Sequence, residues 1–362
     1  MFKANLTVGI VLVLLLGMAS LVKADCTEIA FEGTVRDTWI IDGQHMTAGR
    51  AALLYVDDDA APGGDGFTWS TAFTHLRDAR DYAFFHPEVD EIRVAGGTYY
   101  PDRNTAYPEG SGLRDWTFQL LNGVAFYGGY RGQAGGGDPD DRDLVAFEST
   151  LSGEIGDTEV TTDNSYHVVS GTGNNATALI DGFTITAGRA DGSTPHDVGA
   201  GFINAGGSPA LSNCTFTDNY ASNDAGGMWY TGEEGADYVL TGCTFTGNYT
   251  VDDGGGMWFD NENEGGDLVL SGCIFTDNSC ASSFPGAILT NWGTVTATGC
   301  TFSGNSGNGS GGGLTISTCG DAHVTDCSFS NNSTLHRGGG LHMPNSGTLF
   351  LTNCSFDGNS VS

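Results

Sequence analysis

Apolar positions in the C-terminal half of the chain recur in step. The phrase LSNCTFTDN from Leu211 returns as LTGCTFTGN from Leu240, LSGCIFTDN from Leu270, ATGCTFSGN from Ala297, VTDCSFSNN from Val324 and LTNCSFDGN from Leu351. The cysteines at 214, 243, 273, 300, 327 and 354 lie 29, 30, 27, 27 and 27 residues apart. Around them the pattern has period two, with Leu268 and Leu270, Cys273 and Phe275, and Met257 and Phe259 each two apart. Short alternating runs predict half-buried strands. Their return at a fixed period predicts a solenoid whose repeats stack on their neighbours. An earlier copy, IDGFTITAG from Ile180, carries Phe183 at the cysteine position.

A second phrase falls between the copies: GAGF ending at Phe202, AGGM at Met228, GGGM at Met257, PGAI at Ile288, and GGGL at Leu314 and Leu341. The pattern L-x-x-C-x-F-x-x-N also suits a leucine-rich repeat, which returns through a helix or similar compact segment. Here the return reads NYTVDDGGGMWFDNENEGGD, which no helix tolerates. The prediction is therefore an all-β, right-handed parallel β-helix of ~27-residue coils stacked ~4.8 Å apart. One helical stretch is expected over 71–85, where Phe73, Leu76, Tyr82 and Phe85 sit near a 3.6 spacing; it would cap the N-terminal end, with His75 and His86 as cap or surface residues. Glycine, 57 of 362 residues, and a charged fraction of only 16% fit a turn-rich β protein.

Four segments follow. Residues 1–24 read as a secretory signal peptide: Lys3 is the positive region, Val8 to Leu16 the apolar stretch, and Val22-Lys23-Ala24 the cleavage site. Residues 25–52 are a leader, 53–148 the cap and first coils, and 149–362 the β-helix repeats. The chain stops within a repeat, so a continuation into further coils or an attachment module is expected. Charge adds an exclusion. Removing Lys3 and Lys23 leaves 11 arginines against 44 acidic residues, a net charge of −33. Such a surface repels phosphate backbones and anionic lipids, so no nucleic-acid partner is expected.

The repeated cysteines read as a buried column of small apolar thiols, since in-register Cβ atoms lie farther apart than a disulfide prefers and no histidine recurs with them. Cys26, Cys280 and Cys319 fall outside the column, Cys280 with Cys319 being one conceivable pair. The asparagines at 219, 248, 278, 305, 332 and 359 would stack at one turn and bond to the backbone of neighbouring coils.

One constellation carries candidate chemistry. Aligning coils on the glycine phrase turns Ile203, Trp229, Trp258, Leu289, Thr315 and His342 outward. The same register places Asp224 beside Asp253 and Asn223 beside Asp252, with Asp197 one coil earlier, and acidic insertions at Glu233, Glu234, Asp237 and Asp260 to Asp267 flank them. Two aligned indoles suggest a flat platform for a sugar face. Carboxylates ~5 Å apart suit a shared calcium ion held by Asp224, Asp252 and Asp253, a retaining glycosidase pair, or an ordinary acidic edge. Asp57, Asp58 and Asp59 with Asp65 form another acidic run without a full calcium-loop pattern. Catalysis ranks lower, because after Ala178 the basic side chains other than histidine are Arg189 and Arg337, and a lyase acting on acidic sugars needs a basic group. His336, Arg337 and His342 are the remaining basic cluster.

FTDN, FTGN, FSGN, FSNN and FDGN together with GGM, GAI and GGL resemble the F-x-x-N and G-G-A-I motifs of polymorphic outer-membrane-protein repeats. Upstream, YVDDDAAPGGDG, EIRVAGGTY and TFQLLNGVAFYGGY are similar to secreted bacterial pectin-lyase-like β-helix proteins. The resemblance spans roughly 53–362. It implies the fold and a secreted or cell-surface location, including association with an outer membrane, but no activity, since the scaffold hosts lyases, hydrolases, epimerases and adhesins. The preferred reading is adhesion or carbohydrate binding without catalysis, with glycans or cell-surface components as partners. The alternative is a polysaccharide-active lyase, hydrolase or epimerase.

Overall fold

A computed structural model of the chain describes residues 38–41, 44–47 and 52–362, apart from 134–135, 233–236, 262–265, 282–284, 318–319 and 346. The signal peptide, most of the leader, Cys26, Cys319, Glu233, Glu234, Glu262 and Glu264 lie outside the described residues. The chain divides into two compact units, Met1–Gly49 and Arg50–Ser362. In the first, Thr38–Ile41 pairs antiparallel with Gln44–Thr47.

The second unit is a right-handed parallel β-solenoid with four sheets of ten, nine, eight and seven strands. A single coil shows the plan: Tyr238–Thr241, Thr244–Thr246, Tyr249–Thr250 and Met257–Asp260 each enter a different sheet. Every strand pairs in parallel with its equivalent one coil away, Leu240 opposite Leu270 and Phe245 opposite Phe275. Parallel register makes side chains stack by type. Phe216, Phe245, Phe275, Phe302, Phe329 and Phe356 form a continuous pile with centroids 4.6 to 5.2 Å apart. Burial of each ring from Phe216 to Phe329 contributes about 1.5–3 kcal/mol, whereas Phe356 in the last coil is half-exposed. The cysteines from Cys214 to Cys327 are fully buried in their own column, as the repeat predicts.

The asparagines solve the problem the turns create. Asn248 Nδ2 donates to the Phe216 carbonyl at 2.9 Å and to Asn278 Oδ1 at 3.0 Å, while its backbone N–H donates to the same oxygen at 3.2 Å. The arrangement repeats along the column down to Asn359. Buried turn groups that no strand ladder reaches are thereby paired.

The glycine phrase serves two separate constraints. Gly254 takes φ +65°, and a Cβ there would stand 2.5 Å from the Met257 carbonyl oxygen. Gly256 has an ordinary φ, but its Cβ would meet the Ala287 carbonyl of the next coil at 2.8 Å. The left-handed turn thus lies at the first glycine, and the pair after it answers to close packing of coils rather than to the turn itself.

The helix is shorter than its periodicity suggests. It covers Leu76–Phe85, preceded by a 3₁₀ turn at Trp69–Thr71. Phe73 is drawn into extended backbone instead: its N–H donates to the Tyr55 carbonyl and its carbonyl accepts from Asp57 N–H, both at 2.9 Å. The helix, α1, buries Leu76, Ala79 and Ala83 against the strands Ala52–Val56 and Val89–Ala95, whereas Phe85 is 75% exposed. No helix among the described residues is long and apolar enough to cross a membrane.

Candidate functional site

The expected ledge is built by one turn and the strand it feeds. Met228–Thr231 and Met257–Asp260 pair in register, with Met228 and Met257 buried and Trp229 and Trp258 half-buried on the opposite face. The two indoles are parallel within 2°, with centroids 5.6 Å apart. Parallel rings at that spacing are offset-stacked. Each covers part of its neighbour's face, so the pair presents a ridge of indole edges with part of a face, not the flat platform expected from the register.

Three others of the expected outward row are covered. Ile203 is 8% exposed, Leu289 3% and Thr315 1%. At Ile203 and Thr315 the preceding turn lies against the strand: a Cβ at Gly199 would stand 3.3 Å from the Ile203 Cα, one at Gly311 would run into the Thr315 side chain, and Thr315 Oγ1 donates to the Ser310 carbonyl at 2.7 Å. Sequence alternation reports which face a residue takes, but not whether a neighbouring turn lies on that face. His342 is half-buried, its Nδ1 without a hydrogen-bond partner, and burial together with Arg337 pushes its pKa down.

That same turn carries the carboxylates, in the expected register. Ala225 N–H donates to the Asp253 carbonyl and Asp252 N–H to the Asn223 carbonyl, both at 2.9 Å, while Asn223 N–H reaches the Asp197 carbonyl. Asp224 and Asp253 therefore sit in line on adjacent coils. Burial, then the charge of Asp252, lifts Asp224 to about 6 against the pull of the Asp253 backbone N–H. Burial, then Asp224 and Asp252, lifts Asp253 to about 7, and its Oδ1 has no hydrogen-bond partner. Two neighbouring carboxyls that resist ionisation can hold a proton near neutrality, donating and accepting hydrogen bonds at once, or exchange that proton for a cation. Among the described residues, however, the acidic trio whose ligand oxygens come within 4.8 Å of one another is Asp57–Asp58–Asp59; Asp224, Asp252 and Asp253 do not converge so closely.

The Asp57 run has a structural task. Asp57 is buried, accepting from Asp59 N–H at 3.1 Å and Gln133 N–H at 2.8 Å, and Asp58 accepts from Thr98 N–H at 2.9 Å. These bonds tie the first loop to later coils. Asp65 likewise accepts from Thr71 Oγ1 at 2.6 Å. Of the other expected residues, His86 stacks on Tyr82 at 3.7 Å, and the Cys280 thiol donates to the Asp252 carbonyl behind the acidic turn.

One constellation has no counterpart in the repeat pattern. His167 Nδ1 lies 3.1 Å from the Gly199 carbonyl oxygen, and its Nε2 lies 3.1 Å from His196 Nδ1. A carbonyl only accepts, so His167 carries its hydrogen on Nδ1 and accepts from His196 through Nε2. His196 Nε2 faces Asp115 at 3.8 Å, and Tyr166 stacks on the same ring under the Arg114 guanidinium. These residues come from loops with no repeated equivalent, and only the coil register brings them together.

No curated protein matches the chain. Among solved structures, the crystal structure of pectate lyase Pel9A aligns over 83% of this chain and 78% of its own, at 15% identity and a TM-score of 0.42. The right-handed beta helix region family matches residues 144–310 and again 202–362, and the chain belongs to that family.

Proposed function

We propose that this is an exported β-helix protein, displayed at the cell surface or released, that binds carbohydrate without cleaving it. The observation that carries the reading is the stacked pair Trp229–Trp258 beside the carboxyl pair Asp224–Asp253. Half-exposed indoles offer a sugar ring an apolar edge and part of a face. The adjoining protonated carboxyl supplies a donor and its neighbour an acceptor for sugar hydroxyls. Calcium at Asp224, Asp252 and Asp253 belongs to the same reading, replacing the shared proton above neutral pH once the side chains turn toward one another. Glycans or other cell-surface components are the partners, and resemblance to polymorphic outer-membrane-protein repeats supports surface display.

The raised carboxyls also favour a second reading, glycoside hydrolysis with Asp253 as the proton donor. One experiment separates the two. Wild type, Trp258→Ala and Asp253→Ala are titrated calorimetrically with neutral and acidic oligosaccharides, with and without calcium, and the mixtures are assayed for new reducing ends. Binding lost in both variants with no product supports the binding protein. Product formation abolished by Asp253→Ala establishes the hydrolase. Equal heats from all three proteins reject the ledge.

A further inference from the structure

The repeat coils hold the ledge, but the clefts described in this molecule lie on the cap. One, of about 320 Å³, opens where α1 starts and is lined in part by Asp58, His75, Thr98, Tyr100 and Arg103. A second, of about 390 Å³, adjoins it through Thr74 and His75 and is walled by Phe73, Pro62 and Pro108. These are dimensions of small-ligand sites.

Arg103 sets the first cleft apart. The chain has far more carboxylates than arginines, so a guanidinium on this protein ordinarily finds an acidic partner. Arg77, Arg80, Arg93, Arg114, Arg131, Arg142 and Arg189 each lie within 4 Å of a carboxylate. Arg103 has no such partner among the described residues. Its guanidinium lies 4.0 Å over the Tyr100 ring, and its Nε is buried with no hydrogen-bond acceptor. Stacking on Tyr100 orients the fork, while desolvation makes an unmet N–H costly to leave unbonded. Asp58, the carboxylate among the cleft's lining residues, is already engaged by the Thr98 N–H at 2.9 Å.

We propose that the Arg103 cleft binds a small oxyanion, a carboxylate or phosphate group, through a charge-assisted contact with the guanidinium. The Thr98 hydroxyl and the His75 ring supply neutral hydrogen bonds around it, and the wall formed by Phe73, Pro62 and Pro108 receives an apolar portion of the same ligand. The site is separate in sequence and sheet from the Trp229–Trp258 ledge, so its occupancy does not depend on sugar binding there.

The test uses the full protein, with inorganic phosphate in one arm and acetate and benzoate in the other, followed by calorimetry and by the Arg Nε–H resonances in NMR. The expected result is one saturable site in wild type, with one arginine resonance moving on titration. Arg103→Gln should weaken it about tenfold or more, whereas Arg337→Gln, which removes an exposed arginine outside the cleft, should leave it unchanged. Arg103→Lys, retaining the charge but not the fork, should recover part of the affinity. The tighter arm identifies the group, and benzoate binding tighter than acetate locates the apolar wall. No saturable site in either arm, or equal losses in Arg103→Gln and Arg337→Gln, overturns the proposal. Matching thermal unfolding curves for the variants exclude misfolding as the cause of any loss.

Discussion

Asn219 donates through Nδ2 to Asn248 Oδ1 at 3.0 Å, and its own backbone N–H reaches the same oxygen at 3.2 Å. One side-chain oxygen therefore satisfies both a side chain and a backbone group of the preceding coil. Asn278, in the middle of the column, is fully buried and holds the equivalent bonds on both sides. Asn278→Ala strands the Phe245 carbonyl and the Asn248 backbone N–H and takes one of two acceptors from Asn248 Nδ2, while the Asn305 oxygen keeps the bond from the residue-278 N–H. Each buried group left unbonded costs about 1–3 kcal/mol, so urea unfolding should show a loss of about 3 kcal/mol or more. Asn359→Ala in the last coil should cost clearly less, because that residue is only half-buried and water can replace it. Equal losses at the two positions would mean that the bonds do not act through desolvation.

The cysteine column leads to a chemical prediction. Burial pushes the Cys214 thiol up to about 12, and contact with the neighbouring Cys273 thiol helps lift Cys300 to about 11. Only the thiolate attacks. Both residues should therefore stay unmodified by iodoacetamide at pH 8 in the native protein, with full labelling after unfolding. Cys354, half-buried in the last described coil, should be labelled earlier. Peptide mapping by mass spectrometry checks this residue by residue.

Acid should act through His167. The ring is 6% exposed, and burial, strengthened by His196, lowers its pKa to about 4 from 6.5 despite the opposing bond to Gly199. The folded state thus resists a proton that the unfolded chain accepts. Stability from this group is complete above pH 6.5 and is lost as pH falls from 6.5 toward 4, by about 3 kcal/mol in total. His167→Asn keeps a donor for the Gly199 carbonyl but does not titrate. Its unfolding free energy should change less than that of wild type between pH 7 and 4.

How much of this was legible beforehand follows from what repeats and what does not. The stacked Phe216 and Phe245, the buried Cys243 and the bonded Asn248 all occupy fixed places in a recurring phrase. A parallel coil converts equal sequence positions into contacts, so the period alone located them. Trp229 and Trp258 were found the same way, and their parallel rings follow from the register. The covering of Leu289 and Thr315 was not legible, because alternation assigns a face without showing what lies over it. His167, His196 and Asp115 gave no signal at all: 29 and 81 residues separate His196 from the other two, and none belongs to a repeated phrase. The helix start failed for a different reason, since backbone pairing of Phe73 with Tyr55 outweighed local helical spacing.

The acidic turn should respond to pH in the opposite sense to His167. Asp253 titrates at about 7 in the folded protein and near 3.8 when unfolded, burial being the first cause and the charges of Asp224 and Asp252 the next. The folded state therefore holds the proton more tightly. Stability from this group is complete below pH 3.8 and falls as pH rises from 3.8 through 7, because folding then forces a carboxylate into a partly buried, like-charged turn. Asp253→Asn removes that charge while keeping the shape. At pH 8 the variant should be more stable than wild type by about 2 kcal/mol, after allowance for solvent screening of a partly exposed group, and the advantage should vanish near pH 4. Calcium distinguishes a cation site from a merely crowded one. If the turn exchanges its proton for a cation, millimolar calcium at pH 8 should raise the melting temperature of wild type toward that of Asp253→Asn and leave the variant unmoved. Identical calcium shifts in both proteins would place any bound cation elsewhere, and a wild type already as stable as the variant at pH 8 would show that Asp253 ionises without penalty.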